Sequence, residues 1–205
     1  LAREIRAHDG LLPYPGSDQA DIGLTIDAVL GMLAAGSGAA TARDSTAAIS
    51  ANVDDYLGPT FGATELYAGP VAKTAILASA VTGDPSSFGG HDLVADLQSL
   101  ETADGRYADH TAYGDTSNTF TQALGLIALS RTASKPSVNA VNYLLAQQCS
   151  DDGFRMFPGD GACVSDPDAT SLAVVALAGA LGGERSARVE MAGQRTGRHG
   201  NRHDR

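Results

Sequence analysis

The sequence predicts an all-α protein built from repeated helical hairpins. Ala and Gly are plentiful and runs of β-branched residues are few, which favours closely packed helices over sheet. Segments that are apolar nearly all round alternate along the chain with segments that carry a single apolar stripe, and this pattern returns about every 50 residues. Such repetition is typical of stacked helical pairs. We therefore expect an α/α toroid, or a partial toroid, of about four hairpins with inner and outer helix layers.

The inner layer is predicted from four segments that have almost no polar face. They are IGLTIDAVLGMLAAG (22–36), VAKTAILASAV (71–81), FTQALGLIALS (120–130) and SLAVVALAGAL (171–181). A helix without a polar face is buried on all sides, so we expect these four to form the interior row.

The outer layer is predicted from stripes of apolar residues at helical spacing, which indicate helices that face a core on one side only. The stripes are Ile49, Val53 and Tyr56; Leu93, Leu97 and Leu100; and Val138, Val141 and Leu145.

Turn and capping signals place the connections between the two layers. Asp-Gly pairs at 9–10, 104–105 and 152–153 predict turns. Polar cap regions follow about a dozen residues later, at Asp21, Thr116–Ser117 and Asp166–Thr170, and Glu65 opens the remaining inner helix. The inner helices should therefore begin near residues 21, 65, 116 and 168.

Composition and charge divide the chain into a helical domain, residues 1–183, and a basic tail, residues 184–205. The tail holds six Arg and three acidic residues without apolar periodicity, and we expect it to be disordered. The remaining body carries a net charge of −13, which repels phosphodiester backbones and argues against nucleic-acid binding. No apolar run is long enough to cross a bilayer, and no signal peptide is visible at Leu1, where a helix has already begun.

The two cysteines of the chain, Cys149 and Cys163, bracket a short acidic loop. That spacing fits a loop-closing disulfide in an exported protein, and the alternative is a pair of free thiols in a cytosolic one.

Two charged residues, Asp27 and Lys73, stand inside apolar inner helices. A buried charge is costly unless it is paired, so the two either form an ion pair, face a ligand in a central cavity, or lie exposed at helix ends. Four aromatic residues near the starts of inner helices, Tyr67, Tyr107, Tyr113 and Phe120, are candidates to line the same cavity; core packing is the alternative for each.

The repeated pattern resembles the prenyltransferase and squalene-oxidase repeat of the terpenoid-cyclase and protein-prenyltransferase superfamily of α/α toroids. It is most similar to uncharacterised secreted actinobacterial proteins with this repeat, through GLTIDAVLGMLAAG, YAGPVAKTAILA and QQCSDDGF…CVSDPDATSLAVVAL, and it covers residues 1–182. The resemblance implies a fold but no single activity, because the superfamily includes enzymes, cobalamin carriers and complement modules. Four hairpins are fewer than its closed rings contain, so the arc is open, truncated or completed by another chain.

The resemblance also suggests a catalytic role for Asp166 and Asp168. With Thr170 they are similar to the D-x-D-D-T motif of class II terpene cyclases, in which the middle Asp, here Asp168, protonates an alkene. Ala169 replaces the final Asp, however, and the chain has no Trp to stabilise a carbocation. The alternative, which the Asp-Pro pair favours, is that these aspartates start a helix and cap its free N–H groups.

Metal and diphosphate sites find little support in the sequence. The histidines at 8, 91 and 110 are isolated, the cysteine loop has no His, and Lys73 and Lys135 are the only lysines of the chain. We therefore expect no zinc-dependent prenyl transfer and no cofactor. A calcium site among acidic residues is an open alternative. Its candidates are Asp151, Asp152, Asp160, Asp166 and Asp168.

These observations favour a secreted or surface-associated, non-catalytic α/α-toroid module that binds an apolar small molecule or a cell-surface protein. The alternative is a terpenoid-cyclase-type enzyme of class II, or one domain of such an enzyme.

Overall fold

A computed structural model describes residues 1–159 and 161–197, with side chains as far as residue 182. Within that part the chain is mostly helical, with one short two-stranded antiparallel ribbon. The elements are α1 (Ala2–Ala7), α2 (Ile22–Ala34), α3 (Ala39–Ala51), α4 (Asp54–Leu57), α5 (Ala68–Thr82), α6 (Leu93–Ser99), α7 (Thr119–Ser130), α8 (Val138–Leu145), β1 (Phe154–Arg155), β2 (Ser165–Asp166) and α9 (Pro167–Gly197).

Helices α2, α5, α7 and α9 form a row in which each helix contacts the next. The shorter helices pack against this row: α3 on α2, α6 on α5, and α8 on both α7 and α9, while α1 contacts α3. The predicted alternation of apolar and amphipathic helices is therefore confirmed as an alternation between two kinds of position in the structure.

The row helices begin close to the predicted residues, and the capping groups differ from the expected ones at α5 and α7. Asp21 caps α2 by accepting the Leu24 N–H at 2.8 Å, and Asn118, rather than Thr116 or Ser117, caps α7. At α5 the carboxylate of Asp109 accepts the Ala68 N–H at 2.9 Å. The side chain of Glu65 instead accepts a hydrogen bond from the N–H of Ala112. The expectation that Glu65 opens this helix is therefore wrong, because its side chain does not cap α5.

A side chain four residues after the capping residue ties three row helices to the turns that precede them. On α2 the Thr25 hydroxyl accepts the Leu12 N–H, and on α9 the Thr170 hydroxyl accepts the Phe154 N–H, both at 2.8 Å. On α7 the Gln122 side-chain oxygen accepts the Tyr107 N–H at 2.9 Å. The same contact at the same helix position shows that the sequence repeat is also a structural repeat.

Burial of the row helices differs between the middle and the ends of the row. Helices α5 and α7 are buried on nearly all sides, as predicted. Helices α2 and α9 are not: Leu24 is 44% exposed, and Val174 and Val175 are 56% and 57% exposed. The reason is that α2 and α9 each have one row neighbour within the described part of the chain, whereas α5 and α7 have two.

The β-ribbon and the length of α9 also differ from the sequence-based expectation. Phe154 pairs with Asp166 and Arg155 with Ser165, so a short ladder joins the cysteine-bracketed loop to the residues just after Cys163, and no alternating sequence pattern predicted it. Helix α9 continues to Gly197, through most of the segment 184–205 for which no structure was expected. That stretch contains Glu, Ala, Arg, Met and Gln, which are good helix formers. Residues 198–205 of the predicted tail lie outside the described residues.

Candidate functional site

One face of the row is left uncovered at the same positions in all four helices. Counting from the residues at the N-cap positions, Asp21, Tyr67, Asn118 and Asp166, these are positions 2, 6, 9 and 13, which fall on a single helix stripe. The residues at these positions are half-buried or exposed, with one exception: Ile76 is buried, with 7% of its surface exposed. We call this stripe the front face; it comprises Gly23, Asp27, Leu30 and Ala34; Gly69, Lys73, Ile76 and Ala80; Phe120, Leu124, Ile127 and Arg131; and Asp168, Leu172, Val175 and Gly179.

The ion pair predicted between Asp27 and Lys73 is confirmed and lies on the front face. Lys73 Nζ is 2.7 Å from Asp27 Oδ2, which bridges α2 and α5. The side chain of Asp27 is 57% exposed and that of Lys73 is 20% exposed. The ion-pair alternative therefore holds, and both side chains also remain accessible to solvent although they lie within α2 and α5 and not at helix ends. Water screens such a pair, so it contributes little to stability.

The charge on the front face is confined to one side of the row at position 6. Asp27 and Lys73 occupy this position on α2 and α5, whereas Leu124 and Leu172 occupy it on α7 and α9. Position 9 is apolar throughout. At positions 6 and 9 the face thus offers an apolar surface on α7 and α9 beside the ion pair, while Arg131 and Asp168 carry charge at positions 13 and 2; this arrangement suits an amphipathic molecule.

The aromatic residues predicted near the inner-helix starts have different environments. Phe120 is half-buried on the front face, and Tyr67 is half-buried at the start of α5. Tyr113 is 75% exposed in a loop. These three side chains keep some solvent-facing surface, but only Phe120 belongs to the uncovered stripe.

Tyr107, by contrast, is fully buried, so its assignment to a ligand-binding cavity is wrong. Its ring occupies the space that a side chain at Gly125 of α7 would need, because a Cβ there would lie 2.4 Å from the ring. Burial raises the pKa of its phenol, and the hydroxyl has no hydrogen-bond partner within the described residues. Tyr107 is therefore a core residue, and its ring packs the turn after α6 against α7.

The two aspartates of the D-x-D-A-T segment have separate roles. Asp166 caps α9, since its Oδ1 accepts the Ala169 N–H at 2.7 Å. Asp168 is exposed in the first turn and makes no side-chain hydrogen bond within the described residues. The expectation that Asp168 accepts the backbone N–H groups is wrong because the helix begins at Pro167, which makes Asp166 the capping position. Asp168 is also exposed to solvent, whereas cyclase chemistry requires its acid to lie in a water-poor pocket.

The predicted disulfide between Cys149 and Cys163 is confirmed, with the two Cα atoms 5.5 Å apart. Ser165, just after the loop that it closes, donates its hydroxyl to Asp151 inside the loop at 2.5 Å, and this hydrogen bond holds the pKa of that carboxyl below its usual range. Across the described residues, no three His, Cys, Asp or Glu side chains are grouped so that they could hold a metal ion. Asp160, one of the calcium candidates, lies outside those residues.

His91, which looks isolated in the sequence, joins two helices in the structure. Its Nε2 is 2.7 Å from Asp54 Oδ1 on α4, and its Nδ1 is 3.1 Å from Asp96 Oδ2 on α6. Both ring nitrogens are thus engaged by carboxylates, and neither is free to bind a metal or activate a nucleophile. The only sequence signal was the polar His-Asp pair before α6, which does not identify Asp54 as a partner.

None of the helices described by the structure is both long and apolar enough to cross a membrane. Comparisons of the chain with protein-family models, with curated proteins and with solved structures found no match.

Proposed function

We propose that this chain is a non-catalytic α/α-toroid module whose front face binds an apolar small molecule that carries a polar group. In this proposal α2, α5, α7 and α9 are the inner layer of an arc, and α3, α6 and α8 are the outer layer. The observation that carries it is the shared register of the uncovered stripe at positions 2, 6, 9 and 13. A surface presented by four consecutive repeats is the kind of surface that stacked helical repeats use for binding.

The distribution of charge on the front face suggests the orientation of such a ligand. Its apolar part would lie over Leu124, Ile127 and Val175, where burial of apolar area supplies the driving force. Its polar group would lie beside Asp27 and Lys73, whose ammonium and carboxylate offer both a donor and an acceptor.

A fluorescent fatty acid tests this function directly, since its emission rises when its chain enters an apolar site. We expect saturable binding to the intact protein and weaker binding to Leu124→Gln, which places a polar amide in the apolar half of the front face. Val164→Gln is the matched control, because Val164 is 73% exposed and follows Cys163 directly, outside the front face. Equal loss in both variants, or no saturable binding by the parent protein, would contradict the proposal.

The alternative function is Asp-initiated isoprenoid cyclisation. Only the partial D-x-D-A-T motif supports it, and the exposure of Asp168 counts against it. Incubation with squalene and with linear prenyl diphosphates, followed by extraction, decides between the two functions. A cyclic product that disappears in Asp168→Asn would replace the binding module with a cyclase.

We also infer that the protein works outside the reducing cytosol, at the cell surface or in the surrounding medium. The disulfide is the supporting observation, since such bonds persist in oxidising compartments. Trapping free thiols in fractions of the producing cells tests this inference: the oxidised form should accumulate outside the cytosol, and accumulation of the reduced form inside it would contradict the assignment.

A further inference from the structure

A cavity of about 340 Å³ lies at the N-terminal end of α2, between the loop that precedes this helix and the segment around α4. Three aromatic side chains, Tyr14, Tyr56 and Phe61, contribute to its walls together with Asp55 and Thr60. The chain has only 11 Phe and Tyr residues and no Trp, so the convergence of three of them on one cavity is unusual for this composition.

The aromatic walls combine a fixed ring with accessible ones. Tyr56 is half-buried, and its hydroxyl lies 3.1 Å from the point where a Cβ would stand on Gly23, so the absence of a side chain at Gly23 makes room for this ring. Tyr14 and Phe61 are 45% and 58% exposed. Exposed aromatic rings lining a concave site offer their faces to a ligand at little cost in reorganisation.

The electrostatic environment of this cavity is negative. Asp55 lies in the wall, and its Oδ1 accepts the hydroxyl of Thr60 at 2.7 Å, which fixes the carboxylate. Burial raises the pKa of Tyr56, and the nearby negative charges of Asp27 and Asp21 raise it further. None of the residues that line the cavity in the described part of the chain is Lys or Arg. An anionic ligand would be repelled there.

We propose that this cavity binds the ammonium group of a small cationic ligand, with Tyr14, Tyr56 and Phe61 forming an aromatic cage and Asp55 supplying the counter-charge. Ring faces attract a cation through their quadrupole, and an alkylated ammonium suits them best because its charge is spread over apolar methyl groups. A bare metal ion would demand several oxygen ligands and would gain little from three aromatic rings. The negative charge of Asp27 on the front face acts on Tyr56, but the cavity includes none of the apolar front-face residues of α7 and α9. A negative result for choline binding therefore does not decide the proposed function of the front face, and the reverse also holds.

Choline and its neutral isostere 3,3-dimethylbutan-1-ol test the role of charge, because they differ in replacing the ammonium nitrogen by carbon. Titration of the full chain, followed by calorimetry or by tyrosine fluorescence, should give saturable choline binding that is at least about tenfold tighter than binding of the isostere. Binding of choline should also weaken as salt is added. Equal affinity for both compounds, or no saturable choline binding up to about 10 mM, would overturn the proposal.

Substitutions that keep apolar bulk but remove the ring face test the cage itself. Phe61→Leu and Tyr14→Leu should each weaken choline binding by about two- to thirtyfold, the range that cation–π attraction spans. Both side chains are exposed enough for these variants to fold even if Tyr56→Leu does not. Asp55→Asn should also weaken binding, while Phe157→Leu, a 71% exposed aromatic outside the cavity, should leave it unchanged. If the Phe61 and Phe157 variants bind choline equally well, the cage is not the site.

Discussion

Gln122 offers the most direct test of how the repeats are held together. This residue is 1% exposed, and its side-chain amide makes three hydrogen bonds to the backbone of two other segments. The side-chain oxygen accepts the Tyr107 N–H at 2.9 Å, and the amide NH₂ donates to the carbonyls of Gly105 at 2.8 Å and Ala140 at 2.9 Å. Gln122→Leu keeps the approximate size of the side chain and removes all three bonds.

The cost of this substitution follows from the groups that are left without partners. The Tyr107 N–H and the Gly105 carbonyl have no other hydrogen bond among the described residues, and each buried orphan costs about 1–3 kcal/mol. The loss of the Ala140 contact adds less, because a helical carbonyl keeps its place in the helix ladder. The added apolar surface of Leu offsets part of the loss, about 1 kcal/mol. We expect Gln122→Leu to destabilise the protein by about 3 kcal/mol.

Thermal and urea unfolding would measure this loss. About 3 kcal/mol corresponds to a fall in Tm of about 6–12 °C for a chain of this length. Gln98→Leu is the matched control, since Gln98 is exposed on α6 and its substitution should change stability by less than about 0.5 kcal/mol. A Gln122→Leu protein within about 1 kcal/mol of the parent would refute the reasoning, because the three bonds could then not be holding the turn and α8 to α7.

Three further predictions concern the cap, the ion pair and the disulfide. Asp166→Ala should cost about 0.5–2 kcal/mol in thermal unfolding and Asp168→Ala less than about 0.5 kcal/mol, and the reverse order would contradict the capping assignment. A double-mutant cycle of Asp27→Asn and Lys73→Met should give a coupling below about 1 kcal/mol that shrinks in 1 M salt, because the pair is exposed; a salt-insensitive coupling above about 2 kcal/mol would mean that it is effectively buried. Reducing the disulfide should lower the unfolding free energy by about 3 kcal/mol, and identical denaturation midpoints with and without reductant would contradict this.

The starts of the row helices could be predicted from sequence because their signals are local. Asp21 and Asp166 stand directly before apolar segments, and both cap the helix that follows. The cap of α5 could not be found in this way, since Asp109 reaches it from a loop 41 residues along the chain. The sequence around Glu65 offered a plausible local substitute, which the fold uses for another contact.

The pairing of Asp27 with Lys73 could be predicted, but their exposure could not. A charge within an apolar run indicates that another group must compensate it, and the first two of the four apolar segments each held one such charge. Which side of a helix lacks a neighbour depends on the arrangement of the row, and apolar residues on every side of a sequence window do not reveal it. Likewise, Gly105 was predicted only as part of a turn. In the structure a Cβ there would lie 2.2 Å from the Asn139 backbone, so this glycine also permits the close approach of α8.

The aromatic cage had no sequence signal at all. Tyr14 belongs to the loop before α2, and Phe61 follows α4, so no spacing rule connects them. Folding brings them together because both segments meet at the N-terminal end of α2. The low aromatic content of the sequence argued against carbocation chemistry. Composition alone, however, does not show whether the few aromatic side chains are spread over the fold or lie together in one place.

Comparing equivalent positions in the four row helices distinguishes a surface that belongs to every repeat from one that is exposed only because a helix lies at the end of the row. Val174, at position 8 of α9, is 56% exposed, whereas the residues at position 8 of the other row helices, Val29, Ala75 and Leu126, are at most 2% exposed. Exposure at that position therefore marks a missing neighbour beside α9 in the described part of the chain, not a property of the repeat. Position 6 behaves differently, because Lys73 and Leu124 keep some exposure in α5 and α7, both of which have row neighbours on two sides; at position 9, Ile127 of α7 also keeps some exposure although Ile76 of α5 is buried. Only a surface of this second kind is built by the repeat itself, and for that reason the front face, and not the apolar flank of α9, is the surface on which a ligand should be sought.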